Sequence, residues 1–227
     1  MNKRLTVVLL TYNRLNYARR TLLGVLRNLK WSGDLYVHVA SDGDSREYID
    51  ELRADVVCNQ RSELRLYEIT DSDADRGGYG RNWNLATQVV HEFSDYVLPL
   101  EDDWELVREL DADRLVAGLD ALGGGAIRLG YVGYTQSLRG EFVFANGEHF
   151  IRLDQNSPEP HVFAGHPRIE TVAWERMVGP WPEGLSPGET EFQVAHIEAA
   201  RRYIYWPVDY VKPSGDLFAH IGTVRSY

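Results

Sequence analysis

The sequence predicts an α/β fold built on a mostly parallel central sheet with helices on both faces. Short apolar runs are bounded by turn residues, helical periodicity fills the stretches between them, and polar clusters begin where the apolar runs stop. Residues 5–10 are apolar at every position but one, as expected of a strand covered from both sides. A helix should follow, capped by Asn16, with Ala18, Leu22, Leu23, Val25, Leu26 and Leu29 at helical spacing until Ser32-Gly33 ends it. Residues 35–40 form the next predicted strand, closed by Ser41-Asp42-Gly43-Asp44-Ser45, and 47–52 a short helix. A third strand falls at 64–69, a polar loop at 71–80 and a helix over 81–93. The fourth strand, 95–100, runs into Glu101-Asp102-Asp103.

The second half is less regular. A helix over 111–122 should end in Gly123-Gly124-Gly125, and 126–132, 141–145 and 149–153 read as strands of a smaller mixed sheet. A loop rich in proline and glycine covers 179–188, and a helix runs from about 191 to 202. No internal repeat or linker divides the chain, so a single domain over 1–227 is expected.

Composition narrows the function. With 227 residues, 44% of them hydrophobic and 26% charged, the chain can bury a substantial core. Its 24 basic and 34 acidic residues leave a net charge of −10, which repels nucleic acid and anionic membrane surfaces. A nucleic-acid partner is therefore disfavoured. Cys58 is the one cysteine, which excludes an intrachain disulfide and a thiolate zinc site and suits a reducing, cytoplasmic location. The apolar run near the start breaks after six residues and reads as a buried strand rather than a signal peptide. No window approaches the roughly 20 apolar residues of a membrane anchor.

In open parallel sheets ligands bind beyond the carboxyl ends of the strands, so Thr11-Tyr12-Asn13-Arg14, Asp42-Gly43-Asp44 and Glu101-Asp102-Asp103 should converge on one crevice. Three consecutive carboxylates there repel one another unless a cation compensates them. Oxygen donors without thiolates favour Mn2+ or Mg2+.

Together with Gly80-Arg81-Asn82-Trp83-Asn84, these clusters resemble, in order and spacing, the family 2 glycosyltransferases of the GT-A fold. The resemblance covers residues 5–104 most clearly. It implies a single GT-A domain, with a nucleotide-sugar-binding half over 1–104 and an acceptor-binding half over 105–227. It also implies transfer from a nucleotide-diphosphate sugar, a UDP-sugar in the first instance, with a divalent metal and inversion at the anomeric carbon. Thr11 and Tyr12 would lie along the base, with Asn13 and Arg14 in the same donor-binding loop, and Asp42 would accept a hydrogen bond from the base. Arg81 and Arg76 would meet the diphosphate, as guanidinium groups suit phosphate. Asp102 would touch the ribose and Asp103 bind the metal, with Glu101, whose arm is longer, and His220 of Phe218-Ala219-His220 as further ligands.

Gly188-Glu189-Thr190-Glu191 resembles the segment that carries the catalytic base, with threonine in place of the usual second acid. Glu189 and Glu191 are both candidates, and a position in the loop ahead of the helix favours Glu189. Trp174, Trp181, Trp206, Tyr131, Tyr134 and Tyr205 enrich the second half in aromatic side chains, most of them expected to be packing residues, with Trp181 the candidate acceptor wall. The acceptor stays open among a glycan, a lipid-linked sugar, a small molecule, a protein and a modified DNA base. A nucleotidyltransferase and a non-catalytic nucleotide-sugar-binding module are the alternatives; the first normally carries a glycine-rich loop after the first strand, which this chain lacks.

Overall fold

A computed structural model describes residues 2–129, 139–156, 162–165, 167–210 and 216–222. The first half comprises β1 (Arg4–Thr11), α1 (Leu15–Asn28), β2 (Leu29–Lys30), β3 (Asp34–Ser41), α2 (Arg46–Asn59), β4 (Arg65–Asp73), α3 (Gly78–Val90) and β5 (Tyr96–Glu101). Then come β6 (Trp104–Leu106), β7 (Leu110–Asp111), α4 (Ala112–Ala121), β8 (Ala126–Arg128), β9 (Gly140–Ala145) and β10 (Glu148–Leu153). The last elements are β11 (Arg168–Thr171), α5 (Val172–Val178), α6 (Pro187–Ala195), β12 (Ile204–Pro207) and β13 (Phe218–His220).

Among the described residues the main sheet has nine strands in the order β4-β3-β1-β5-β11-β8-β12-β10-β9. It is parallel from β4 to β5, and mixed beyond, where β11 runs antiparallel to both β5 and β8. The strands of the second half thus continue the central sheet, while β6 with β13 and β2 with β7 form two small ones.

The sheet is central because its strands are apolar on both faces. Along β1, Leu5, Val7 and Leu9 pack with Leu22, Val25 and Leu26 of α1, Leu52 and Val56 of α2 and Leu115 and Leu119 of α4. The alternate residues Val8 and Leu10 face Trp83, Ala86 and Val90 of α3, Trp174 of α5 and Val194 of α6. Helices therefore cover both faces, which leaves the strand ends as the place for polar chemistry.

Several boundaries differ from expectation for local reasons. Asn16 does not cap α1; the helix begins at Leu15 and Arg14 occupies the cap position without a side-chain cap bond. α2 starts at Arg46, where Ser45 caps it through Tyr48 N, and continues past the predicted 47–52 as Val56 extends the buried apolar stripe. β4 runs on into the predicted loop and α3 starts at Gly78, so Arg81 lies in its first turn. β11, α5, β12 and β13 are elements that periodicity did not reveal, and residues 130–132 of a predicted strand lie outside the described residues.

Candidate active site

The three polar clusters meet at the carboxyl ends of β1, β3 and β5. Asp42 N donates to Thr11 O at 3.1 Å, Asp102 N donates to Leu10 O at 3.0 Å, and Asn13 N donates to Asp44 Oδ1 at 2.6 Å. Asn13 adopts a left-handed backbone (φ 51°), which turns the chain out of β1 and brings Arg14 over the end of β5.

There Arg14 holds both aspartates. Its Nη1 donates to Asp103 Oδ2 at 2.9 Å and its Nη2 donates to Asp102 Oδ1. Asp102 is 1% exposed and also accepts from Thr11 Oγ1 at 3.1 Å and Tyr12 N at 3.3 Å through Oδ2. Burial pushes Asp102 up to about 7, against the opposing pull of Arg14. Burial likewise works against the Arg14 charge, but the two carboxylates more than offset it and its pKa is raised. The cation that sequence reasoning demanded for this cluster is therefore supplied, in part, by the chain itself.

Glu101 points the other way. Its Oε1 accepts from Tyr79 Oη at 3.1 Å, and burial first, then the charges of Asp103 and Glu191, push its pKa up to about 8. Tyr79 is itself buried, which raises its pKa well above the usual range and keeps it a proton donor. Glu191 reaches the same place from α6, where its Oε1 accepts from Gly165 N at 2.6 Å. Glycine at 165 leaves these groups room. A Cβ there would sit 3.1 Å from Tyr79 Oη, 3.5 Å from Glu191 Oε1 and 3.6 Å from Glu101 Oε1. A cavity of about 30 Å³, room for one water, lies between Leu10, Tyr12, Arg14, Tyr79, Glu101, Asp102 and Pro187.

Glu189 is placed differently. It is the third residue of α6, not a loop residue, and its Oε2 accepts from Ser186 N at 3.0 Å and Ser186 Oγ at 2.6 Å in a capping box. Those hydrogen bonds hold its pKa low. Asp42 is nearly fully buried, and its Oδ1 accepts from Gly78 N at 3.0 Å, so it anchors the start of α3; burial raises its pKa against that bond. Arg81 is exposed in the first turn of α3 and lies over Gly77, where a Cβ would come within 2.3 Å of Arg81 Cδ. Arg76 stacks its guanidinium 3.9 Å from the centre of the Tyr12 ring at the mouth of the site.

The acceptor-wall expectation for Trp181 is corrected. Trp181 is 2% exposed and packs against Tyr79, Trp83 and Phe163 at ring distances of 5.2–5.7 Å. Asn84 draws it inward, since Asn84 Nδ2 donates to Trp181 O at 2.9 Å and Trp181 N donates to Asn84 Oδ1 at 2.8 Å. Trp174, Tyr205 and Trp206 are buried too, and Tyr131 and Tyr134 lie outside the described residues. A cleft of about 650 Å³ opens where β10 ends and β12 begins, away from the carboxylates, and its Arg152 and Arg202 are paired with Glu141 and Glu198.

The predicted metal set Asp103, Glu101 and His220 is only partly assembled. Asp103 Oδ2 lies 3.5 Å from His220 Nε2, and Asp103 Oδ1 is buried with no hydrogen-bond partner. That carboxylate and imidazole, with water and phosphate oxygens completing the shell, fit Mn2+ or Mg2+. Glu101 belongs to the Tyr79 pair instead, and among the described residues no three His, Cys, Asp or Glu side chains gather to hold a metal.

Behind the site is a charged cluster that sequence reasoning missed. Arg168, 1% exposed, donates through Nε to Glu170 Oε2 at 2.5 Å and lies 5.1–5.5 Å from the rings of Trp83, Phe163 and Trp181. Glu175 accepts from Trp83 Nε1 at 2.7 Å beside it.

By sequence the chain matches no protein-family model and no curated protein. By structure it superposes on residues 1–349 of S. aureus TarS in complex with UDP-GlcNAc, with a TM-score of 0.64 at 18% identity. That match covers 98% of this chain and 61% of the other. The fold is GT-A. The longer S. aureus TarS chain gives a TM-score of 0.58 at 19% identity, over 89% of this chain and 35% of that one. The mannosyltransferase PcManGT from Pyrobaculum calidifontis, in complex with GDP-Man and Mn2+, gives 0.54 at 14% identity, over 94% and 59%. This GT-A chain thus spans between a third and three fifths of the solved chains it matches. Among the described residues no helix is long and apolar enough to cross a membrane.

Proposed function

We propose that this protein is a metal-dependent, inverting, family 2-like glycosyltransferase that moves a sugar from a nucleoside-diphosphate donor to an acceptor hydroxyl. One observation carries the reading: Glu191 is brought from α6 to within the same few ångströms of Gly165 as Glu101 and Tyr79, next to the strand ends that hold Asp102 and Asp103. A base thus faces the carboxylate cluster. Residues 1–104 hold the donor, and 105–227 supply the base and the acceptor side. A UDP-sugar is the first donor to test, because a similar structure carries UDP-GlcNAc. The exposed Cys58 thiol accords with a cytoplasmic location.

Tyr12 and Thr11 flank the base of the nucleotide, Asp102 takes the ribose, and Arg81 and Arg76 meet the diphosphate from the start of α3 and the mouth of the site. A divalent ion, held by Asp103 and His220, would supply charge neutralisation for the leaving diphosphate. Glu191 removes the acceptor hydroxyl proton as that oxygen attacks the anomeric carbon opposite the leaving group, which inverts the configuration. Glu189, committed to its capping box, takes no part.

The test is UDP release from UDP-sugars, with water or an added glycan as acceptor, alongside calorimetric donor binding. Glu191→Gln should lower turnover by about 10²–10⁴-fold with donor affinity nearly unchanged, and Glu189→Gln should turn over like the parent. Full turnover by Glu191→Gln would move the base elsewhere. If no nucleoside diphosphate binds with any metal, the transferase reading fails.

A further inference from the structure

The geometry of Arg14 points to a role that goes beyond charge neutralisation and rests on the reading of Asp103 and His220 as the metal side. One planar fork closes both carboxylates, Nη2 on Asp102 Oδ1 and Nη1 on Asp103 Oδ2 at 2.9 Å. The same Asp103 Oδ2 lies 3.5 Å from His220 Nε2 and is confined by Gly222, where a Cβ would come within 2.3 Å of it. Asp103 Oδ1, buried and without a partner, lies on the carboxylate that the fork already holds. A divalent ion that uses Asp103 and His220 therefore shares the carboxylate with a guanidinium, which already holds the oxygen nearer the imidazole, and the two cations repel across that carboxylate. Arg14 also lines the small cavity with Tyr12, Tyr79 and Glu101, so its head group faces the crevice as well as the aspartates.

We propose that Arg14 is a displaceable counter-ion. It holds Asp102 and Asp103 together while the site is empty, weakens binding of a bare divalent ion, and transfers to the donor diphosphate when metal and nucleotide arrive together. Metal and nucleotide binding become mutually dependent because each is worth more once Arg14 has changed partners. Guanidinium suits both roles, since carboxylate and phosphate match the same fork.

Mn2+ binding to the intact protein, followed by electron paramagnetic resonance with and without UDP, tests this. Arg14→Gln should bind Mn2+ alone about ten-fold more tightly than the parent, and the gain in Mn2+ affinity on adding UDP should shrink by about the same factor. Arg14→Lys, which keeps the charge but loses the fork, should fall between the two and serves as the readout if Arg14→Gln does not fold. Unchanged or weaker Mn2+ binding by the folded variants overturns the proposal, and so does a parent protein that binds UDP but takes up no Mn2+ in its presence. A parent that binds no UDP at all overturns the transferase reading instead, while the Mn2+ comparison without nucleotide still decides whether Arg14 opposes the ion.

Discussion

Among the described residues two arginine-carboxylate clusters lie largely buried, and their surroundings differ. Arg14 with Asp102 and Asp103 stands at the crevice, its side chain 13% exposed, and it borders a cavity. Arg168 with Glu170 is sealed, their side chains 2% and 0% exposed, beneath Trp83, Phe163 and Trp181. Charges in contact with a cavity can exchange partners with an incoming ligand. Charges enclosed by rings cannot, and they act on the site by holding Trp83, Trp181 and, through them, Tyr79 in place.

The largest effect should come from breaking the sealed cluster. Arg168→Met leaves Glu170 buried without its partner beside Glu175 and should cost about 3–5 kcal/mol in denaturant unfolding, the scale for an uncompensated buried charge. Adding Glu170→Leu should recover most of that loss, because a buried pair replaced by apolar groups of similar volume is often neutral. Arg14→Gln should cost less, about 1–2 kcal/mol, since a small cavity borders Arg14 and Asp102, and Asp102 keeps its hydrogen bonds from Thr11 Oγ1 and Tyr12 N. Equal losses at the two arginines would erase the distinction.

Titration sharpens the same contrast. Burial, and then the neighbouring Glu170, push Glu175 up to about 8 from an ordinary 4.5. A folded pKa above the unfolded one means that its contribution to stability is fully present below about 4.5 and is lost as pH rises through about 8. The Tm should therefore fall between about pH 4.5 and pH 8 and level off above that, and Glu175→Gln should flatten that fall. A Tm that holds level across the range in the parent would show that the cluster stays fully ionised throughout.

What the sequence made legible follows the same division. Thr11–Arg14, Asp42–Asp44 and Glu101–Asp103 could be placed because long apolar strands stop abruptly at them. The sealed cluster could not. β11 has four residues and buries Arg168 and Glu170, so its local pattern is that of a polar loop, and only packing by distant aromatic residues reveals it as core. Trp181 misled for the opposite reason, since a tryptophan in a proline-rich loop reads as exposed until Asn84, far away in sequence, draws it in. The placement of Glu189 was within reach. Ser186-Pro187-Gly188-Glu189 carries a capping-box spacing with proline at the first helical position, which starts α6 early and turns Glu189 back on its own cap.

That cap supplies the smallest test, and a clean one, because it separates two acids two residues apart. Ser186→Ala removes the hydroxyl that donates to Glu189 Oε2 and accepts from Glu189 N, and should cost about 1 kcal/mol of stability, as for other N-cap losses. Turnover should stay near the parent value, because the contact of Glu191 with Gly165 N does not pass through the cap. Glu191→Gln should show the reverse pattern, with Tm nearly unchanged and turnover lost. If Ser186→Ala lowers turnover as much as Glu191→Gln does, α6 delivers its base only when the capping box is intact, and the division between structural and reacting acids on this helix disappears.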